Sequence, residues 1–178
     1  VGWSLGGIIA HAAAVRLRAD GHEVATLALL DAHPPAAPVE TVPSAVSVAD
    51  LLGAIGTDVG AGLDPAQFTP EQALELVADL PAPFDALTLP RLERIFEGVR
   101  LSYRLLAEHR PARFDGDLLF FAASEDGTSA TRAAQQWRTH VTGTLAVESV
   151  QATHWKMTSQ DAVARIGPVL DRWVGGGR

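Results

Sequence analysis

Three residues whose types suit acyl transfer follow one another along this chain: a serine, an aspartate and a histidine. The serine, Ser4, lies within Gly2-Trp3-Ser4-Leu5-Gly6, which has the pattern Gly-x-Ser-x-Gly. That pattern is typical of a nucleophile elbow, a sharp turn from a strand into a helix that exposes the serine hydroxyl. We expect glycine at Gly2 and Gly6 because a Cβ at either position would crowd neighbouring elements. The backbone N–H of Leu5 should point to where an oxyanion would form.

The sequence after Ser4 predicts the elements that an elbow requires. Apolar residues recur at helical spacing from 8 to 17, and Gly21 is a typical helix C-terminal stop. The apolar run 23–30 then predicts a buried parallel strand that ends at Asp31. Because one helix joins two parallel strands, Ser4 and Asp31 should share the carboxyl edge of one sheet.

A serine nucleophile needs a general base, and that base needs a group to orient it. His154 is the best-placed histidine, because it follows the last predicted strand, 144–150, and precedes the last predicted helix. Two carboxylates compete for the third role: Asp31, and Asp126 after the predicted strand 117–123. With either aspartate, the order Ser, Asp, His is that of the α/β-hydrolase fold. We therefore predict a partial α/β-hydrolase fold, with a mostly parallel sheet flanked by helices.

Three further residues are candidates for the substrate pocket. Trp3 precedes the nucleophile, His33 follows Asp31 by two residues, and Trp155 follows the predicted base. Packing beneath the turn is the alternative role for Trp3. No set of side chains has convincing metal-ligand spacing, so no metal is expected.

The predicted domain organisation is discontinuous. Residues 1–36 and 112–178 form the core, and residues 37–111 form a helical insertion that acts either as a lid or as a packed subdomain without gating. The insertion is predicted from three segments: a capping box at 47–50, a second at 69–72, and an amphipathic helix at 90–109. In the last helix of the core, Pro168 is expected to cause a kink or an end.

Composition excludes several other functions. The 178 residues are 47% hydrophobic with a net charge of −7, which indicates a globular domain and disfavours nucleic-acid binding. The absence of cysteine excludes disulfides and a thiolate nucleophile, and fits a reducing compartment; we expect the cytoplasm. No apolar run approaches the ~20 residues that span a membrane. Because the chain begins within the strand of the elbow, we expect it to be the later part of a longer protein.

The sequence from Gly2 to Pro35 also carries a family resemblance. Gly2-Trp3-Ser4-Leu5-Gly6-Gly7, residues 18–24, and Leu27-Ala28-Leu29-Leu30-Asp31-Ala32-His33-Pro34-Pro35 resemble the C-terminal (type I) thioesterase domain of nonribosomal peptide synthetases, the enterobactin-synthetase type above all. The resemblance is dense in residues 1–35 and weaker over the rest of the chain.

The resemblance implies a mechanism and partners. The triad acid follows the strand after the elbow in that family, which selects Asp31 over Asp126. Ser4 would attack a peptidyl or acyl thioester on the 4'-phosphopantetheine of an upstream carrier domain, which the resemblance places in the same polypeptide. Release would follow by hydrolysis or macrocyclisation, with no cofactor bound by the domain itself. The second oxyanion donor would come from a loop that follows an early strand and is not in this sequence.

Two alternatives remain. The first is a stand-alone editing thioesterase or carboxylesterase, which would more often use a carboxylate at the position of Asp126. The second, of a different class, is a catalytically incompetent fragment or binding module.

Overall fold

The computed structural model describes residues 1–35, 69–78, 87–127 and 130–176. The chain divides into two compact units. One consists of Val1–Ala36 together with Arg110–Arg178, and the other of Ala37–His109. The first unit contains the sheet, and the described part of the second contains helices.

Among the described residues, the sheet has four parallel strands in the order of the chain. They are β1 (Gly2–Trp3), β2 (Leu27–Leu30), β3 (Leu118–Ala123) and β4 (Leu145–Val150). All four carboxyl ends therefore lie at one edge of the sheet, as the βαβ pattern predicts. The prediction of an α/β architecture with a parallel sheet is confirmed.

The core lies around the two central strands. Every residue of β2 and β3 is buried, which explains why both sequences are continuous apolar runs rather than alternating ones. Strand β2 starts at Leu27, later than the predicted 23, because residues 23–26 do not pair. On one face of the sheet, Met157, Ala162 and Ile166 pack against residues of β2 to β4 in a single apolar cluster.

In the described part of the unit that contains the sheet, the α-helices are α1 (Leu5–Ala19), α4 (Ala130–Trp137) and α5 (Gln160–Gly176). We expected Pro168 either to kink or to end the last helix. It does not end the helix, since α5 continues to Gly176. Pro168 and Ala164 are both exposed. Proline has no N–H, so the carbonyl of residue 164 lacks its usual donor within the helix. Because this carbonyl lies on an exposed part of the helix, water can donate a hydrogen bond to it instead.

The second unit contains α2 (Pro70–Val77) and α3 (Leu89–Glu108). The capping box predicted at Thr69 is confirmed, because its Oγ1 accepts the N–H of Gln72 while Gln72 Oε1 accepts the N–H of Thr69. The capping box predicted at 47–50 lies outside the described residues. Among those described, no helix is both long and apolar enough to cross a membrane.

Helix α1 packs closely over the strand ends through two glycines. A Cβ on Gly2 would collide with the carbonyl of Gly6, and one on Gly7 would collide with the side chain of Ala32. Gly6 itself has nothing within 4 Å of the position of a Cβ. The expectation that Gly6 must be glycine to avoid crowding is therefore wrong, and the crowded helical position is Gly7.

This packing predicts opposite outcomes for two adjacent substitutions. Gly7→Ala should lower the free energy of unfolding by about 1–3 kcal/mol, because the new methyl group forces α1 away from Ala32. Gly6→Ala should leave stability unchanged or raise it by up to about 1 kcal/mol through helix propensity. Urea unfolding of both variants measures the difference, and equal destabilisation by the two would contradict this account of the packing.

Candidate active site

Ser4 has the strained backbone of an elbow. It lies between β1 and α1 with φ 52° and ψ −128°, a region that non-glycine residues rarely occupy. Two main-chain hydrogen bonds hold this conformation: the N–H of Ser4 donates to the Leu30 carbonyl at 3.1 Å, and the N–H of Gly7 donates to the Ser4 carbonyl at 2.9 Å. Leu5 is the first residue of α1, where an amide N–H has no acceptor within the helix. The predicted oxyanion donor is thus at a helix N-terminus.

Asp31 occupies a second strained position, at the end of β2. Its φ is 45°, and its N–H donates to the Phe121 carbonyl at 2.7 Å. The side chain is buried, and its Oδ1 accepts the N–H of Ala123 at 3.1 Å. Its other oxygen, Oδ2, lies 2.7 Å from Nδ1 of His154. The carboxylate is therefore fixed by the neighbouring strand while it contacts the histidine.

His154 lies between the other two predicted triad residues. Its Nε2 is 3.0 Å from Ser4 Oγ. An ionised carboxylate only accepts hydrogen bonds, so the contact with Asp31 places the imidazole proton on Nδ1 and leaves Nε2 as the acceptor for the serine hydroxyl. The structure thus brings the three predicted residues into one chain of hydrogen bonds, from three separate strand ends.

The surroundings of Asp31 keep it ionised. Burial is the largest single influence and acts to raise the pKa, but hydrogen bonds from His154, His33 and the Ala123 amide together outweigh it. The pKa of Asp31 therefore lies well below its usual range. The negative charge that would stabilise a protonated His154 is consequently present at any pH near neutrality.

Asp126, the alternative acid, also contacts His154, but through the main chain. It is exposed in the turn after β3, and its Oδ2 accepts the main-chain N–H of His154 rather than a ring nitrogen. Trp3, predicted as a pocket residue, donates from its indole Nε1 to the main-chain carbonyl of His154 at 3.0 Å. Trp155 packs edge-to-face against the imidazole at 4.9 Å and is 37% exposed.

His33, predicted as a pocket residue, lies beside Asp31. Its Nε2 is 3.4 Å from Asp31 Oδ1, and its Nδ1 is 3.3 Å from Gln136 Oε1. The hydrogen bond to Asp31 is the main cause that raises the pKa of His33 above its ordinary value, against the opposing effect of burial. Because both partner atoms are acceptors, the imidazolium form satisfies both contacts.

Sequence reasoning missed the contribution of α4. Gln136 bonds His33, and the buried indole of Trp137 donates to the carbonyl of Ala32 at 2.6 Å, which fixes the turn after Asp31. Neither residue belongs to a sequence motif, so their contacts become evident only from the position of α4 beside β3. In the part of the chain that the structure describes, no group of three or more His, Cys, Asp or Glu could hold a metal ion.

Nearly the whole chain matches the sequence model of a known domain family. The sequence model of the thioesterase domain matches residues 1–168. The chain belongs to the thioesterase-domain family. The predicted family is therefore confirmed, and with it the prediction of a thioesterase, an enzyme of the hydrolase class.

Individual relatives of this thioesterase domain are much larger proteins. This chain is 27% identical over 177 residues to a probable non-canonical nonribosomal peptide synthetase, CymA, of Salinispora arenicola (strain CNS-205). The match covers 97% of this chain and 2% of that protein. The chain is also 31% identical over 173 residues to enterobactin synthase component F of Escherichia coli O157:H7, covering 96% of this chain and 12% of that protein. The chain thus spans a small part of the curated relatives that it matches.

A solved structure extends the comparison to the fold. The NocB thioesterase domain from the nocardicin cluster superposes with a TM-score of 0.59 at 23% identity, over 98% of this chain and 63% of that one. The α/β-hydrolase fold predicted for this thioesterase domain is confirmed.

The pair of His33 and Asp31 predicts a pH-dependent contribution to stability. Because the pKa of His33 is raised above its ordinary 6.5 in the folded state, the stabilisation is fully present below pH 6.5 and is lost as the pH rises through the raised value. The free energy of unfolding should therefore differ more between wild type and His33→Gln at pH 5 than at pH 9, by less than about 1 kcal/mol for this partly exposed pair.

Urea unfolding across this pH range measures the effect. His22→Gln, which alters an exposed histidine after α1, is the matched control for loss of an imidazole. A difference between wild type and His33→Gln that is constant from pH 5 to pH 9 would contradict the pairing.

Proposed function

We propose that this thioesterase domain releases a peptidyl or acyl chain from the phosphopantetheine thiol of a carrier domain through an acyl-enzyme on Ser4. The observation that supports this most is the single imidazole of His154, 3.0 Å from Ser4 Oγ and 2.7 Å from Asp31 Oδ2. The matched nonribosomal peptide synthetases support a carrier-bound thioester as substrate. We propose that the carrier domain lies upstream in the same polypeptide.

In the acylation step, Ser4 Oγ attacks the thioester carbonyl carbon and passes its proton to Nε2 of His154. The imidazolium that forms is stabilised by the Asp31 carboxylate, which already accepts the proton of Nδ1. The tetrahedral intermediate places its oxyanion at the Leu5 N–H. Collapse breaks the C–S bond, and the departing thiolate takes the proton back from Nε2.

In the second step, a nucleophile attacks the acyl-serine ester. A water molecule yields the free acid, whereas a hydroxyl or amine within the peptide yields a macrocycle. His154 removes the proton of either nucleophile and returns it to Ser4 Oγ as the ester bond breaks. The two products share every step up to the acyl-enzyme, so the partition depends on which nucleophile reaches the ester first. In both routes the phosphopantetheine arm belongs to the substrate, and the domain supplies no cofactor.

We also propose that the helical insertion acts as a lid. The chain enters the insertion a few residues after Asp31, and α2 and α3 pack on each other within it. Insertions that follow a catalytic strand end commonly control access of water and substrate. Such control would bear on the choice between hydrolysis and cyclisation.

Two substitutions test the acyl-enzyme. Ser4→Ala should abolish covalent labelling by a fluorophosphonate, because the nucleophilic oxygen is absent. Asp31→Asn should lower kcat by about 10⁴-fold, because the amide favours the wrong imidazole tautomer. Turnover of an acyl-pantetheine thioester measures the second effect, and near-wild-type turnover by Asp31→Asn would rule out Asp31 as the acid. Labelling absent from the wild-type protein would favour the inactive or binding-module alternative.

A matched pair of substrates tests the substrate class. We expect kcat/KM to be higher for an acyl-pantetheine thioester than for the oxoester with the same acyl group, since the proposed leaving group is a thiol. Ser4→Ala supplies the background rate for each substrate. A clear preference for the oxoester would favour the carboxylesterase alternative.

A further inference from the structure

We propose that Asp126 and Trp3 are positioning residues that hold the main chain of His154 from both sides and so set its distance to Ser4. This inference rests on the Ser4–His154 pair of the proposed function, but not on the identity of the thioester. It gives both residues a role different from the one that their positions in the sequence suggest. Asp126 is then not an acid for the imidazole, and Trp3 is not primarily a wall of the acyl pocket.

The first contact fixes the amide side of His154. The Asp126 carboxylate, in the turn after β3, accepts the main-chain N–H through Oδ2. His154 begins a short 3₁₀ segment, His154–Lys156, in which the first N–H groups lack an acceptor of their own. The side-chain oxygen of Asp126 therefore supplies an acceptor that the segment itself does not provide.

The second contact fixes the carbonyl side of the same residue. The indole N–H of Trp3 donates to the His154 carbonyl at 3.0 Å, and the ring of Trp3 lies 5.5 Å from the imidazole. Trp3 immediately precedes Ser4 in the chain. This one bond therefore connects the nucleophile turn directly to the backbone of the base.

The 3₁₀ segment His154–Lys156 needs such external contacts because it makes few main-chain hydrogen bonds of its own. The N–H of Lys156 donates to the Thr153 carbonyl at 2.9 Å, and the N–H of Met157 donates to the His154 carbonyl at a long 3.4 Å. Segments of 3₁₀ helix have poor internal hydrogen-bond geometry. A displacement of His154 by about 1 Å would lengthen the contact with Ser4 and cost about 10²-fold in rate.

Replacement of Asp126 separates a positioning role from that of an acid. Asparagine retains a side-chain oxygen that can accept the His154 N–H, whereas alanine does not. An acid that orients the imidazole does not tolerate asparagine, since the amide changes the tautomer. A main-chain acceptor does tolerate it, because only an oxygen at the right place is required.

The experiment measures the second-order rate of inactivation by a fluorophosphonate in the full-length protein. We expect Asp126→Ala to slow labelling by about 10–100-fold and Asp126→Asn to stay within about 3-fold of wild type. Glu125→Ala, which removes the adjacent exposed carboxylate, is the matched control and should label at the wild-type rate. Unfolding midpoints of all variants identify any loss that comes from unfolding alone.

Two results would overturn the role of Asp126. Asp126→Asn as slow as or slower than Asp126→Ala would mean that the charge acts on the imidazole. Wild-type labelling by Asp126→Ala would mean that the contact does not position His154.

Trp3→Phe tests the second contact, since phenylalanine keeps an aromatic ring and removes the N–H donor. We expect about a 10-fold loss in labelling rate and in kcat for an acyl-pantetheine thioester, with KM unchanged. Trp173→Phe, on α5, is the matched control for loss of an indole. A raised KM with unchanged kcat would assign Trp3 to the pocket instead and would overturn its positioning role.

Failure of this inference is distinguishable from failure of the proposed function. A wild-type protein that is labelled but does not cleave the thioester loses only the substrate class, while the labelling rates still test the positioning. A wild-type protein that is not labelled overturns the Ser4–His154 pair, and the positioning role falls with it.

Discussion

The site depends on main-chain hydrogen bonds that continue the sheet one residue beyond its strands. The N–H of Ser4 bonds to the Leu30 carbonyl, that of Asp31 to Phe121, and that of Ser124 to Val150. Each bond extends the pairing of two parallel strands past their carboxyl ends. Ser4 and Asp31 are thus fixed relative to each other by the register of the sheet, and not by the loops that follow.

The same bonds make backbone strain tolerable at both residues. Ser4 and Asp31 are the non-glycine residues with positive φ in the described ranges, and such conformations cost about 1–3 kcal/mol each. The fully buried strands β2 and β3 stabilise the frame that imposes them. Positive φ at Asp31 turns its side chain back toward the strand ends, where it meets both Ala123 and His154. The backbone strain at Asp31 and the position of its side chain therefore have the same cause.

Much of this arrangement could be predicted from local pattern, and the remainder depends on tertiary packing. The elbow, the strand before Asp31 and the capping box at Thr69 follow from short-range chemistry, which the sequence carries in full. The choice between Asp31 and Asp126 does not follow from local chemistry, because both residues follow a strand; the family resemblance favoured Asp31, and the direction of the side chains separates the two in the structure. The prediction for Gly6 was wrong for a similar reason: what a Cβ meets depends on the neighbouring element, here Ala32 beneath Gly7. The contacts of Gln136 and Trp137 with the turn after Asp31 could not be predicted without knowing where α4 packs.

Asp31 serves two histidines at once, and this sharing has a consequence for redesign of the enzyme. One carboxylate oxygen faces His154 and the other lies near His33. A library that varies position 33 would therefore also alter the electrostatic environment of Asp31, so that selectivity and turnover would change together. Pocket engineering in this domain is best begun at positions that do not touch Asp31, with position 33 varied only alongside a readout of intrinsic reactivity.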